Sequence, residues 1–191
     1  LRGSNRSIRM KHVMLDLETF GLAPGVAIRS IGAVEFELDG TTGKTCYANI
    51  SRQSCVDAGL TIDPNTEAWW AKQSKAAQDA LLVDPQPLKL VAASFAGWFA
   101  ARNAVCLWGH GAAFDPVVWE AASKAVGVAV PWKFWNVRDT RTVFDLFDFD
   151  IRDIGRDGTY HNALDDAVYQ VKCVAAALKK GRAAAPVSVF A

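Results

Sequence analysis

Residues 12–19 read His-Val-Met-Leu-Asp-Leu-Glu-Thr, an apolar run carrying carboxylates at two alternate positions. No other stretch constrains the chain as strongly. A short apolar run of this kind reads as a buried strand. On a strand, residues two apart share a face, so Asp16 and Glu18 point the same way. Two carboxylates that close in a buried strand repel each other and are costly to desolvate. A divalent cation resolves the conflict, because hard cations prefer carboxylate oxygens. The same spacing also describes a strand end at which both acids meet water.

The residues around this strand predict an α/β chain with a mixed sheet. Ala27–Leu38 reads as a second strand, and the Asp39-Gly40-Thr41-Thr42-Gly43 turn returns Lys44–Ile50 beside it, so the first three strands meander. Ser51–Pro64 reads as loop. Asn65–Gln73 and Ser74–Leu82 follow as short helices, and Leu88, Val91, Phe95, Trp98 and Phe99 mark one face of a longer one. Ala104–Trp108 is a buried strand, Asp115–Val126 a helix, Phe134–Val137 a strand candidate and Thr140–Phe147 a short helix. Phe149–Tyr160 reads as a polar loop and Asn162–Lys180 as a long helix. Trp98, Trp108, Trp119, Trp132 and Trp135 are expected in the core.

A length of 191 residues suits one domain, taken here as residues 10–180. Residues 1–9 read as an expression scar or disordered tail, and residues 181–191 as a C-terminal tail. The balance of 21 basic against 20 acidic residues gives +1; without Arg2, Arg6 and Arg9 it is 18 against 20, or −2. Near-neutrality argues against a broad basic surface, though cations bound by carboxylates would reverse the local charge. Cys46, Cys55, Cys106 and Cys173 show no C-x-x-C spacing, which suits a reducing cytoplasm rather than a zinc site. No apolar stretch approaches the roughly 20 residues of a membrane span.

Two further segments carry candidate chemistry. In Trp108-Gly109-His110-Gly111-Ala112-Ala113-Phe114-Asp115, an acid follows a tight turn where a helix begins. It suits a helix cap, and a capping aspartate can also coordinate a metal. In His161-Asn162-Ala163-Leu164-Asp165-Asp166, a histidine precedes acids on the first turn of the long helix. Histidine beside a fixed aspartate suits acid–base work, while acids there also complement the helix dipole. Arg138 and Arg141 could hold phosphate, but ion pairing with Asp139 or Asp145 is the simpler expectation.

Taken in order, Asp16-x-Glu18, Phe114-Asp115, and His161 followed by Asp166 resemble the DEDDh 3′–5′ exonucleases of the RNase T-like, DnaQ-like superfamily. Asp16-Leu17-Glu18-Thr19-Phe20-Gly21 and Glu67-Ala68-Trp69-Trp70-Ala71-Lys72-Gln73-Ser74 are similar to the phage exodeoxyribonuclease A and mycobacterial exoribonuclease type. His110 stands where that type would have Asn. The resemblance implies an RNase H-like mixed sheet of about five strands flanked by helices. It also implies 3′–5′ removal of nucleoside monophosphates from single-stranded DNA or RNA ends.

Asp16, Glu18, Asp115 and Asp166 would then hold two divalent cations, Mg or Mn, and His161 would take the proton of the attacking water. The family spacing selects Asp166 over Asp165, leaving Asp165 as a solvated charge. Thr19, Phe20, Gly21 and Leu22 would pack on the terminal nucleotide, with Phe20 stacking on or wedging beneath its base, and His110 would lie near substrate. Adjacent helical residues point about 100° apart, so Trp69 and Trp70 cannot both face inward; Trp70 is assigned to the substrate side. Relatives are often homodimers. A short-oligonucleotide phosphodiesterase and a non-catalytic nucleic-acid-binding module on the same scaffold are the alternatives.

Overall fold

The computed structural model describes residues 12–184. The scar or tail assigned to residues 1–9, and residues 185–191, lie outside the described residues. Five strands form one sheet: β1 (His12–Thr19), β2 (Ile28–Phe36), β3 (Thr42–Asn49), β4 (Cys106–Gly109) and β5 (Val137–Asp139). Their spatial order is β3-β2-β1-β4-β5. The first three strands pair antiparallel, and β4 and β5 add on parallel. This is the RNase H-like mixed sheet.

Residue parity on β1 sorts the core into two layers. Val13, Leu15 and Leu17 face a cluster built with α4 (Leu88–Ala101) and α5 (Asp115–Ala125). Met14 faces the opposite cluster, built mainly with α7 (Ala163–Ala184) and also with α6 (Thr140–Leu146). Asp16 and Glu18 continue the Met14 parity. They therefore lie on the α7 side, at the end of β1 where α7 begins.

That helix can start there because β2 makes room for it. Gly32 pairs with Asp16 across the sheet, and a Cβ at Gly32 would lie 2.2 Å from the Ala163 carbonyl carbon and the Leu164 nitrogen. Asn162 caps the helix, its Oδ1 accepting from the Leu164 and Asp165 amides at 3.1 and 3.2 Å. The far end runs to Ala184, past the expected end at Lys180. Gly181 there packs against the Phe147 ring, where a Cβ would come within 2.3 Å.

Several local expectations are revised. Ser51–Pro64 contains a short helix, α1 (Arg52–Asp57), capped by the Ser51 hydroxyl and anchored by buried Cys55. The two short helices that follow are α2 (Pro64–Trp70) and α3 (Lys75–Ala80). Phe134–Asn136 is a 3-10 turn, with β5 beginning only at Val137. Trp135, expected in the core, is 58% exposed because that turn carries it off the sheet edge. Arg138 donates to the Trp135 and Val137 carbonyls instead of pairing with an acid. Asp139 caps α6 and accepts from the Ala112 amide at 2.7 Å, fixing the turn that precedes α5. The four cysteines are free. Among the described residues no helix is long and apolar enough to cross a membrane.

Candidate active site

Three elements deliver the acids. β1 supplies Asp16 and Glu18, the N-terminus of α5 supplies Asp115, and the first turn of α7 supplies Asp166. Asp115 is buried and reaches back to the sheet, where its Oδ1 accepts the Leu17 amide at 3.3 Å. Asp16 is oriented by Gln170, one turn beyond Asp166, whose Nε2 donates to Asp16 Oδ1 at 2.6 Å. Oxygens of Glu18 and Asp166 and a ring nitrogen of His161 lie within 4.8 Å of one another. Glu18 joins this group to the Asp16 and Asp115 pair, whose charges act on one another and, from Asp115, on Glu18.

Burial first, and then the neighbouring acids, push the Asp16 carboxyl well above the usual range. Glu18 is pushed up to about 7, by burial and then by Asp115, against the weaker pull of Arg29 and Arg156. Asp115 is also pushed up to about 7 by burial, against hydrogen bonds from the Leu17 and other amides. Asp16, Glu18 and Asp115 make no ion pair with any described residue. Glu18 and Asp166 are the acids whose oxygens converge with His161, while Asp16 and Asp115 stand near enough for their charges to be felt, and such carboxylate oxygens are donors that suit hard divalent cations.

This arrangement predicts a pH dependence of stability. Glu18 and Asp115 ionise near 7 in the fold but near 4 in the unfolded chain, so the fold binds more protons in between. Their contribution is complete below about pH 4 and is lost as pH rises through about 7. In excess chelator, Tm is expected to fall from pH 5 to pH 8, and Asp115→Asn to flatten that fall. Added Mg or Mn should raise Tm more at pH 8 than at pH 5. A metal effect of equal size at both pH values would contradict the mutual repulsion.

His161 precedes α7 with φ +63, the left-handed region, which costs a non-glycine residue about 1–2 kcal/mol. Its ring meets Trp69 and Trp70 edge-on, with centroids 5.0 and 5.9 Å away. Burial and the nearby Arg156 hold its pKa below the usual value, favouring the neutral imidazole that can accept a proton. Arg156, from the loop before α7, ion-pairs with Asp166 and lies over Tyr160 and Tyr169, 4.1 and 5.1 Å from their ring centroids.

Two hollows adjoin the acids. One, of about 220 Å³, is lined by Asp16, His110, Arg156, Tyr160, His161 and Asp166. The other, of about 390 Å³, is lined by Glu18, Thr19, Leu22, Trp69, Trp70 and Phe114. Thr19 is buried, its hydroxyl donating to the Gly21 carbonyl at 2.7 Å, and Leu22 is 78% exposed. His110 lies in the first hollow and pairs through Nδ1 with the Thr140 hydroxyl at 2.7 Å.

Other expected positions differ. Phe20, expected against the base, is buried in the core, its ring capped by the Arg29 guanidinium at 4.5 Å; Leu22 is the exposed apolar side chain of that segment. Trp70, expected on the substrate side, is 3% exposed, because its indole N–H donates to the Thr19 carbonyl at 3.0 Å. Trp69 is the more exposed ring, at 45%. Asp165 is not simply solvated: its Oδ2 accepts the Thr159 amide at 2.8 Å and holds the loop carrying Arg156 and Tyr160. Gln170 and Arg156 were not expected at the site. Gln170 lies four residues after Asp166 and so on the same helix face. Arg156 sits in irregular chain with no periodicity to place it.

A mixed sheet with two acids on its first strand, a third entering a middle helix and a fourth on the last helix, just after a histidine, follows the order that the resemblance to the DEDDh exonucleases implies. The chain is an enzyme of the 3′–5′ exonuclease class. Residues 11–178 match the family described as the 3′–5′ exoribonuclease Rv2179c-like domain, and the chain belongs to that family. No curated protein matches the sequence. The fold is similar to the nuclease domain of 3′hExo, a DEDDh family member, in a crystal structure with bound rAMP. The TM-score is 0.60 at 10% identity, over 92% of this chain and 94% of that one. It is also similar to S. pombe Pop2p in its Mg²⁺- and Mn²⁺-bound form. There the TM-score is 0.52 at 14% identity, over 88% of this chain and 82% of that one.

Proposed function

We propose that the protein hydrolyses phosphodiester bonds at the 3′ end of single-stranded nucleic acid, with RNA the leading substrate, and releases nucleoside monophosphates. The observation that carries this reading is the convergence of Glu18, Asp166 and His161 within 4.8 Å. It sets a proton acceptor against the acidic cluster. Asp16, Glu18, Asp115 and Asp166 would hold two divalent cations, Mg or Mn. When bound, such cations activate water and stabilise the departing 3′ oxygen. His161 takes the proton of the attacking water at a ring nitrogen, and Trp69 and Trp70 hold its ring. Gln170 keeps Asp16 turned toward the site. Leu22, Thr19 and the exposed face of Trp69 border the space open to the terminal nucleotide, where base stacking on an aromatic ring is worth about 1–3 kcal/mol.

Membership of an exoribonuclease family and the ribonucleotide in the 3′hExo structure favour RNA. The finer likeness to the phage exodeoxyribonuclease A and mycobacterial exoribonuclease type belongs to the same reading, as do a reducing, cytoplasmic setting and a homodimer. Matched 3′-labelled RNA and DNA strands of two and twenty nucleotides, incubated with Mg or Mn, test it. Monophosphate release is expected, faster on RNA, for the longer strand as well, and lost in excess chelator. His161→Ala should lower turnover by about 10²–10⁴-fold, the range of a positioned general base. Full activity of that variant, or hydrolysis of the two-nucleotide strand alone, would refute the respective part.

A further inference from the structure

Trp70 borders a third cavity, of about 340 Å³, which neither the four acids nor His161 line. Its walls include Phe20, Trp70 and the exposed Leu82; its charged groups are Arg29, Arg52 and Glu67. Arg29 projects from β2 between Ile28 and Ser30, both fully buried. Its guanidinium lies 4.5 Å from the ring centroids of both Phe20 and Trp70. It makes no hydrogen bond and no ion pair with any described residue; Glu18 and Glu67 act on it only through space. Arg52 points at the same Phe20 ring, 5.7 Å away, but is neutralised by Glu67 at 2.8 Å.

A half-buried guanidinium whose donors find no partner among the described residues keeps them open to the cavity and free to bind a ligand. The two rings hold it by cation–π attraction and fix its plane, yet satisfy none of its N–H groups. What satisfies such a fork is a planar or tetrahedral oxyanion, bound through two parallel hydrogen bonds. The cavity is within the usual size of small-ligand sites, and apart from its charged groups it is mostly apolar. We propose that it binds a nucleoside monophosphate, with the phosphate on Arg29, Arg52 at the rim and the base along the Leu82 side. These contacts do not depend on the nuclease reading, although the proposed reaction would release such a ligand. Trp70 joins the two places, since one ring touches Arg29 and lies 5.9 Å from His161.

Calorimetric titration of the full chain with 5′-AMP in excess chelator tests the proposal, because the acids then carry no cations. Wild type is expected to bind AMP at one site, inorganic phosphate more weakly and adenosine not at all. Arg29→Gln should weaken AMP at least tenfold. Leu82→Glu, on a side chain that is 70% exposed and so free to change without disturbing the fold, should weaken it severalfold. Asp16→Asn should leave AMP binding as it is. Thermal melts show whether each variant is folded. Absence of AMP binding to wild type would overturn the site, as would unchanged affinity in Leu82→Glu or in folded Arg29→Gln. Adenosine or phosphate binding as tightly as AMP would overturn the nucleotide assignment. A wild-type protein without nuclease activity would sink the proposed function and leave this titration untouched.

Discussion

Asp16→Asn is expected to lower strand hydrolysis by about a thousandfold, or about 4 kcal/mol in the barrier, while leaving the protein at least as stable in chelator. Both halves follow from one geometry. Asn keeps the oxygen that accepts from Gln170 Nε2, so the side chain retains its orientation. It removes one of the negative charges that Asp115 and Glu18 crowd together. Without a cation, that charge is a liability, and losing it relieves repulsion in a buried cluster. In the proposed reaction it would help to hold a cation, and losing it would weaken the field that positions water and phosphate. Stability and activity should therefore move in opposite directions, as expected where a fold carries strain for function. Melting in chelator, paired with hydrolysis assays at saturating Mg, measures both. A variant that is inactive and also markedly less stable would mean that Asp16 acts as a structural residue.

Gly32→Ala is expected to destabilise the fold by about 3 kcal/mol, the upper end of ordinary overpacking costs. The added methyl would meet backbone atoms of Ala163 and Leu164 at 2.2 Å, and backbone cannot rotate aside as a side chain can. For a chain of this size that loss corresponds to a fall in Tm of roughly 6–12 °C. The damage should also reach the chemistry. Asp166 rides on the turn that would be pushed away, and His161 lies just before it, whereas Asp16 and Glu18 stay on β1. Hydrolysis measured well below the melting temperature should fall tenfold or more. A Tm within a degree or two of wild type would show that α7 adjusts its start freely.

The parts of the site read most directly from sequence are those set by local periodicity. The shared face of Asp16 and Glu18 needs only the strand repeat of two residues. The helix carrying Asp166 is read as Asn162–Lys180, although the capping role of Asn162 shows only in the structure. The meander of β1 to β3 follows from one Gly-containing turn. What could not be read there depends on contacts between distant segments. Which of the two tryptophans is the buried one is decided by one hydrogen bond from Trp70 to the Thr19 carbonyl, 51 residues away. Phe20 looks like a base-contacting residue until Arg29 is seen over its ring. Arg156 gains meaning only because its loop folds back onto Asp166.

The sequence by itself determined the order of the main strands and longer helices, the acids that share a strand face and the histidine available to them. Repeats of 2 and 3.6 residues are properties of a few consecutive peptide units, and they persist whatever the rest of the chain does. The tertiary structure alone decided how closely those acids meet, which ring stays exposed, and that Arg29 faces a cavity with no hydrogen-bond partner among the described residues. Those outcomes depend on how near two backbones can approach, and at Gly32 that distance is set by the absence of a single carbon atom.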